Sequence, residues 1–151
     1  MGLSILMVED GPRVGEFVAR FLRKEGYEVT CASSGEEGLR LFREGAPNVV
    51  LLDLVLPGID GLEVLRQIKA ADATVPVIMM TAHATVSIAV EAMRLGALDF
   101  LTKPIDLDGL CARLNTALSL AADPAAVPPR VAPTSVDALA DVLAAQNQAR
   151  R

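Results

Sequence analysis

The chain has 151 residues, 52% of them hydrophobic and 3% aromatic, which supplies one aliphatic core and excludes a chain disordered throughout. Its formal net charge of -5, with no conspicuous Lys/Arg run, argues against a protein whose main task is to grip nucleic-acid phosphates. No apolar run approaches the ~18 residues of a membrane span and the N-terminus lacks a signal-peptide pattern, so a soluble, cytoplasmic protein with no membrane or direct nucleic-acid partner is expected.

Along the chain, short apolar runs alternate with amphipathic stretches, the pattern of a parallel sheet wrapped by helices. Ile5-Leu6-Met7-Val8 is a strand stopped by Glu9-Asp10. A helix follows, with Val14, Phe17, Val18, Phe21 and Leu22 at the spacing of one core-facing stripe, and Gly26 ends it. A second strand is expected around Glu28 to Ala32, and Ser34-Gly35-Glu36-Glu37 has the capping-box pattern that opens the next helix. Val49-Val50-Leu51-Leu52 lacks alternation, as expected of a central strand buried on both faces, and ends at Asp53. After the turn-rich Leu56 to Gly61 come a helix from about Leu62 to Ala70, a strand Val77-Ile78-Met79-Met80 and a helix from about Val86 to Leu95, stopped by Gly96. A short strand at Asp99 to Leu101 precedes Thr102-Lys103-Pro104, and a final helix puts Leu110, Cys111, Leu114 and Leu118 on one stripe. Cys31 and Cys111 have apolar neighbours and no metal-ligand spacing, so both are expected to be small buried thiols.

Five strands and five helices with right-handed crossovers imply a flavodoxin-like, doubly wound parallel α/β sheet of order 2-1-3-4-5, occupying residues 1–122. Residues 123–134, with Pro124, Pro128, Pro129 and Pro133, read as a semi-rigid linker. Residues 135–151 place Val136, Leu139, Ala140 and Leu143 at helical spacing, a short amphipathic tail that is marginal on its own in water.

In such sheets function sits beyond the carboxyl ends of the strands. There the sequence puts Glu9 and Asp10, Asp53, Thr81 and Lys103. Singly, each has an ordinary reading: Asp10 as a helix cap, Thr81 as a strand end, Lys103 as a solvated lysine. Together they place three carboxylates, a hydroxyl and an ammonium on one rim. Clustered carboxylates repel unless a cation sits among them, and a hard divalent ion with oxygen ligands answers that need, Mg²⁺ first and Mn²⁺ as its substitute. A carboxylate can accept a phosphoryl group, while metal, ammonium and hydroxyl meet the phosphoryl oxygens.

These stretches resemble the receiver domain of a bacterial two-component response regulator over residues 3 to 122. The resemblance is carried by Ile5 to Asp10, by Val50 to Asp53 with Leu56 to Gly61, by Met80-Thr81-Ala82, and by Gly96 to Pro104. The wording around Thr81 and from Gly96 to Asp106 is most similar to the NtrC-like branch. It implies that Asp53 is the phosphoacceptor, that Glu9, Asp10, Asp53 and the Val55 carbonyl hold Mg²⁺, and that Thr81 and Lys103 bind phosphoryl oxygens. It also implies a cis Lys103-Pro104 bond and a switch aromatic at Phe100. Gly11 departs from the pattern, where many relatives carry another acidic or polar residue.

The expected partners are a sensor histidine kinase or phosphotransfer protein on the input side and, on the output side, a second copy or an output domain through the fourth helix, fifth strand and fifth helix. Apolar Val55 offers no hydrogen bond to an attacking water, so a long-lived phosphoryl state is expected, with His83 a further neighbour of that path. A phosphatase of the haloacid dehalogenase type would need an acid/base Asp at position 55. The remaining rival is an unphosphorylated pseudo-receiver, a binding module only. The chain is therefore expected not to be an enzyme beyond self-phosphorylation and self-dephosphorylation.

Overall fold

Strands and helices alternate strictly in the computed structural model, which describes residues 3–82 and 85–122. They run β1 (Ser4–Val8), α1 (Pro12–Lys24), β2 (Glu28–Ala32), α2 (Gly35–Gly45), β3 (Val49–Asp53), α3 (Gly61–Ala71), β4 (Val77–Thr81), α4 (Val86–Arg94), β5 (Asp99–Thr102) and α5 (Leu107–Ala122). The strands form one parallel sheet in the expected order β2-β1-β3-β4-β5. Gly26 and Gly96 follow α1 and α4 with φ of 99° and 108°, the left-handed conformation that makes glycine an effective helix stop. The expected linker, the tail and His83 lie outside the described residues.

Burial on both faces explains the unbroken apolar strands. Leu6, Val8, Val50, Leu52, Val77 and Met79 pack on one side with α2, α3 and α4. Ile5, Met7, Val49, Leu51, Ile78 and Met80 pack on the other with α1 and α5. Each such side chain contributes about 1.5–3 kcal/mol by leaving water.

Local signals set the helix ends. Ser34 Oγ accepts from Glu37 N at 3.2 Å, while Glu37 Oε1 accepts from Ser33 N at 3.0 Å, one residue earlier than a standard capping box would have it. Asp60 caps α3 through Glu63 N at 2.9 Å, and Thr85 caps α4 through Ile88 N at 3.2 Å.

Three expectations are corrected. The buried face of α1 is Gly15, Val18, Ala19 and Leu22, whereas Val14 is 43% and Phe17 62% exposed. The helix packs against β2, with Gly15 seated on the Met7 and Glu9 side chains and the larger Val14 and Phe17 facing outward. Cys31 is exposed because β2 is an edge strand with one neighbour and its end opens onto a cleft. On α5 the buried stripe is Leu110, Leu114, Ala117 and Leu118, with Cys111 half-exposed at its border. Both cysteines are free thiols.

Candidate functional site

The order 2-1-3 makes the chain reverse direction between β1 and β3, and this switch point opens a crevice at the carboxyl edge of the sheet. Five of the expected residues meet there or on its rim. Glu9 and Asp10 follow β1, Asp53 ends β3, Thr81 ends β4, and Lys103 follows β5. Carboxylate oxygens of Glu9, Asp10 and Asp53 all lie within 4.8 Å of one another. Asp53 is 3% exposed, Glu9 8% and Thr81 0%, so the centre of the group is nearly dry although Asp10 reaches solvent.

Lys103 binds this cluster. Its Nζ lies 2.8 Å from Asp53 Oδ2 and 2.6 Å from Glu9 Oε2. Burial alone would depress the lysine pKa, but its hydrogen bond to Asp53 and its charge attraction to Asp53 and Glu9 carry it above its ordinary value. Glu9 is held above the ordinary carboxyl range, first by burial and further by the Asp53 charge, against the opposing pull of Lys103 and the Gly11 amide. Backbone amides complete the frame: Gly11 N donates to Glu9 Oε1 at 3.0 Å, and Val55 N to Asp53 Oδ1 at 3.1 Å. The Lys103-Pro104 peptide is cis, as the resemblance implied.

The donor set suits a divalent cation. The buried Glu9 Oε2 contacts Lys103 as an ion pair without hydrogen-bond geometry, so it retains acceptor capacity beside two further carboxylates. Hard oxygens of this kind match Mg²⁺. The helix-cap reading of Asp10 loses its support, because the N-cap of α1 is Gly11, with no side-chain cap.

Of the other expected residues, Val55 touches the cluster through its backbone N and Phe100 lies in the core. The Val55 side chain is 57% exposed at the rim, two residues after Asp53. Phe100 is 4% exposed and packs in the core cluster that also holds Ala89 and Ala92 of α4. Two supporting residues went unnoticed in the sequence. Glu36 Oε1 accepts from Ile59 N at 2.7 Å and so ties the loop after Asp53 to α2. Gly61 N donates to Leu54 O at 2.9 Å, bringing the start of α3 against the backbone of Asp53 and Leu54. Glu36 belongs to the Ser34-Gly35-Glu36-Glu37 cap and Gly61 follows the Asp60 cap, but neither spacing shows a contact with a distant loop.

A doubly wound parallel domain with a carboxylate-lysine cluster at its switch point defines the CheY-like class of flavodoxin folds. The sequence profile described as "Response regulator receiver domain" matches residues 5–115, and the chain belongs to that family, the regulatory modules of two-component signal transduction. It is similar to the transcriptional regulatory protein YkoG of Bacillus subtilis, 42% identical over 114 residues that cover 76% of this chain and 50% of that protein. It is also similar to the regulatory protein AtoC of Escherichia coli, 40% identical over 116 residues, 77% of this chain and 25% of that protein. Among solved structures, the receiver domain of NtrX from Brucella abortus superposes with a TM-score of 0.72 at 37% identity, covering 76% of this chain and 98% of that one. A CheY-like receiver from Methanospirillum hungatei gives a TM-score of 0.78 at 27% identity, covering 81% and 98%. AtoC and NtrX are NtrC-like regulators, in keeping with the wording around Thr81 and Gly96. The chain spans a quarter to a half of the length of these curated relatives.

Proposed function

We propose that Asp53 accepts a phosphoryl group from a histidine kinase or phosphotransfer protein, and that the modified domain signals through α4, β5 and α5. The observation that carries this reading is the Asp53 carboxylate, buried on a rim with two other carboxylates and fastened to Lys103 at 2.8 Å. Glu9, Asp10, Asp53 and the Val55 carbonyl would hold Mg²⁺, which supplies charge neutralisation for the incoming phosphoryl oxygens.

Transfer forms a bond from an Asp53 carboxylate oxygen to phosphorus and breaks the donor's nitrogen-phosphorus bond, whose electron pair leaves with the imidazole. Asp53 is used as an anion, so no general base is required. The Lys103 ammonium would exchange part of its contact with Asp53 for a phosphoryl oxygen, and Thr81 at the end of β4 would supply a hydroxyl to the same group. Apart from this self-modification the domain turns over no substrate.

The link to the output surface is mechanical. Lys103 N donates to Thr81 O at 2.7 Å, so the ends of β4 and β5 move together when the new charge draws them inward. Helix α4 buries only two small residues, Ala89 and Ala92, among those described, so its anchoring is weak. Phe100 in the same cluster is the switch aromatic, and a shift of α4 against it changes the α4-β5-α5 face that meets a second copy or an output domain.

Incubation with Mg²⁺ and acetyl phosphate, read by intact mass, should add one phosphoryl group to the protein and none to Asp53→Asn. Lack of addition to the unmodified chain would favour the pseudo-receiver reading. The same assay tests Val55, whose exposed side chain leaves an attacking water unoriented. Val55→Asn offers one hydrogen bond worth about 1 kcal/mol, which corresponds to a phosphoryl decay faster by about fivefold. An unaltered decay rate would remove Val55 from the lifetime argument.

A further inference from the structure

The loop between β3 and α3 carries the Val55 carbonyl, and few bonds hold it. From Leu56 to Ile59, the Ile59 amide is the only backbone group hydrogen-bonded among the described residues, and its acceptor is Glu36 Oε1 at 2.7 Å. Glu36 stands in the first turn of α2, directly after the Ser34 cap and Gly35, so the helix fixes its backbone. The loop is shaped to receive this side chain. Gly58, with φ of 77°, passes so close that a methyl there would stand 2.4 Å and 2.6 Å from the two Glu36 carboxylate oxygens. Gly35 permits a second close approach, since a methyl on it would meet Ile59 Cγ1 at 2.6 Å and Ile59 O at 3.0 Å.

The same corner of the fold braces the other side of the crevice. Glu9 N donates to Ala32 O at 2.9 Å, and the turn from Ala32 into α2 is fixed by Ser33 N donating to Glu37 Oε1. The β2–α2 connection therefore touches both the segment that ends in Glu9 and Asp10 and the loop that follows Asp53.

We propose that Glu36 is a positioning residue for the crevice: its carboxylate holds the β3–α3 loop so that the Val55 carbonyl stands beside Glu9, Asp10 and Asp53, and it thereby raises affinity for Mg²⁺ without touching the ion. The inference rests on the reading of Asp53 as a phosphoacceptor with a divalent cation. What the loop needs from position 36 is an acceptor atom held in place, as for other residues that orient metal ligands. Glutamine keeps that acceptor and alanine removes it. A role through the α2 dipole, or through general attraction of cations, depends on the charge and treats the two substitutions alike.

Two measurements on the full chain test this: calorimetric Mg²⁺ titration, and exchange of the Ile59 amide followed by NMR in EDTA. Glu36→Ala should weaken Mg²⁺ binding by about fivefold, the equivalent of one hydrogen bond, and speed Ile59 exchange by a similar factor. Glu36→Gln should stay within about twofold of the native protein in both. Gly58→Ala, which evicts the carboxylate, should also weaken binding, and its effect should shrink in the Glu36→Ala background. Native Mg²⁺ affinity or native Ile59 exchange in Glu36→Ala, or Glu36→Gln as weak as Glu36→Ala, overturns the proposal and leaves the reading of Asp53 standing. An unmodified chain that binds no Mg²⁺ overturns both, and faster Ile59 exchange in Glu36→Ala would then assign Glu36 to loop packing alone.

Discussion

Lys103→Met is expected to lower stability by about 2 kcal/mol at neutral pH in a divalent-free buffer, and added Mg²⁺ is expected to return most of that loss. The lysine is the cation between Glu9 and Asp53, both nearly buried, and methionine keeps its length without its charge. Breaking a buried ion pair generally costs about 3–5 kcal/mol. Here the cost is capped, because Glu9 already lies above the ordinary carboxyl range through burial and can take a proton instead. Without Lys103 its folded pKa rises further. A carboxyl whose folded pKa exceeds its unfolded one favours the fold when protonated, and that benefit is lost as pH climbs from the ordinary carboxyl range through the raised value. The deficit should therefore be small near the unfolded glutamate pKa of about 4.3 and full at neutral pH. The native lysine has the mirrored behaviour: its raised pKa stabilises the fold through neutrality and is lost only above the ordinary lysine range. Urea unfolding at two pH values, each with EDTA or Mg²⁺, measures all of this. A deficit equal at both pH values, or indifferent to Mg²⁺, would refute the view that charge neutralisation governs this crevice.

That crevice could be anticipated because its chemistry is written at strand ends. Runs such as Val49 to Leu52 are apolar without alternation, so both faces had to be covered and the polar residue that closed each run had to emerge at the carboxyl edge. Asp53, Thr81 and Lys103 were therefore placeable from local pattern plus one topological rule. What escaped notice depends on size and distance. The face of α1 differs because periodicity weights bulky residues, whereas the helix buries the small Gly15 and Ala19 together with Val18 and Leu22. Cys31 looked buried by its neighbours in sequence, but strand order makes β2 an edge. The Glu36–Ile59 bond joins residues 23 apart on different elements, and no local signal announces it.

Gly61→Ala is expected to destabilise the domain by about 3 kcal/mol and to weaken Asp53 phosphorylation together with Mg²⁺ binding. A Cβ at this position would stand 2.3 Å from Asp53 O, 2.7 Å from Leu54 Cα and 2.8 Å from Leu54 O. All three neighbours are backbone atoms, so no side chain can swing aside. The new methyl must push either the first turn of α3 or the strand-end segment out of place. Helix α3 is held by Val64, Leu65 and Ile68, each 0% exposed in the core, and so resists displacement. The strain therefore falls on Leu54 and Val55, where Val55 N fixes Asp53 Oδ1 and where the proposed carbonyl ligand to the metal lies. This locates the defect at the site as well as in the fold. A core truncation such as Ile68→Ala, costing about 2–5 kcal/mol, provides the contrast. Its losses should be global, with Mg²⁺ affinity of the remaining folded protein unchanged. If Gly61→Ala behaved the same way, with Mg²⁺ titration of folded protein giving the native affinity, the close approach of α3 would matter for packing alone and not for holding the phosphoacceptor loop.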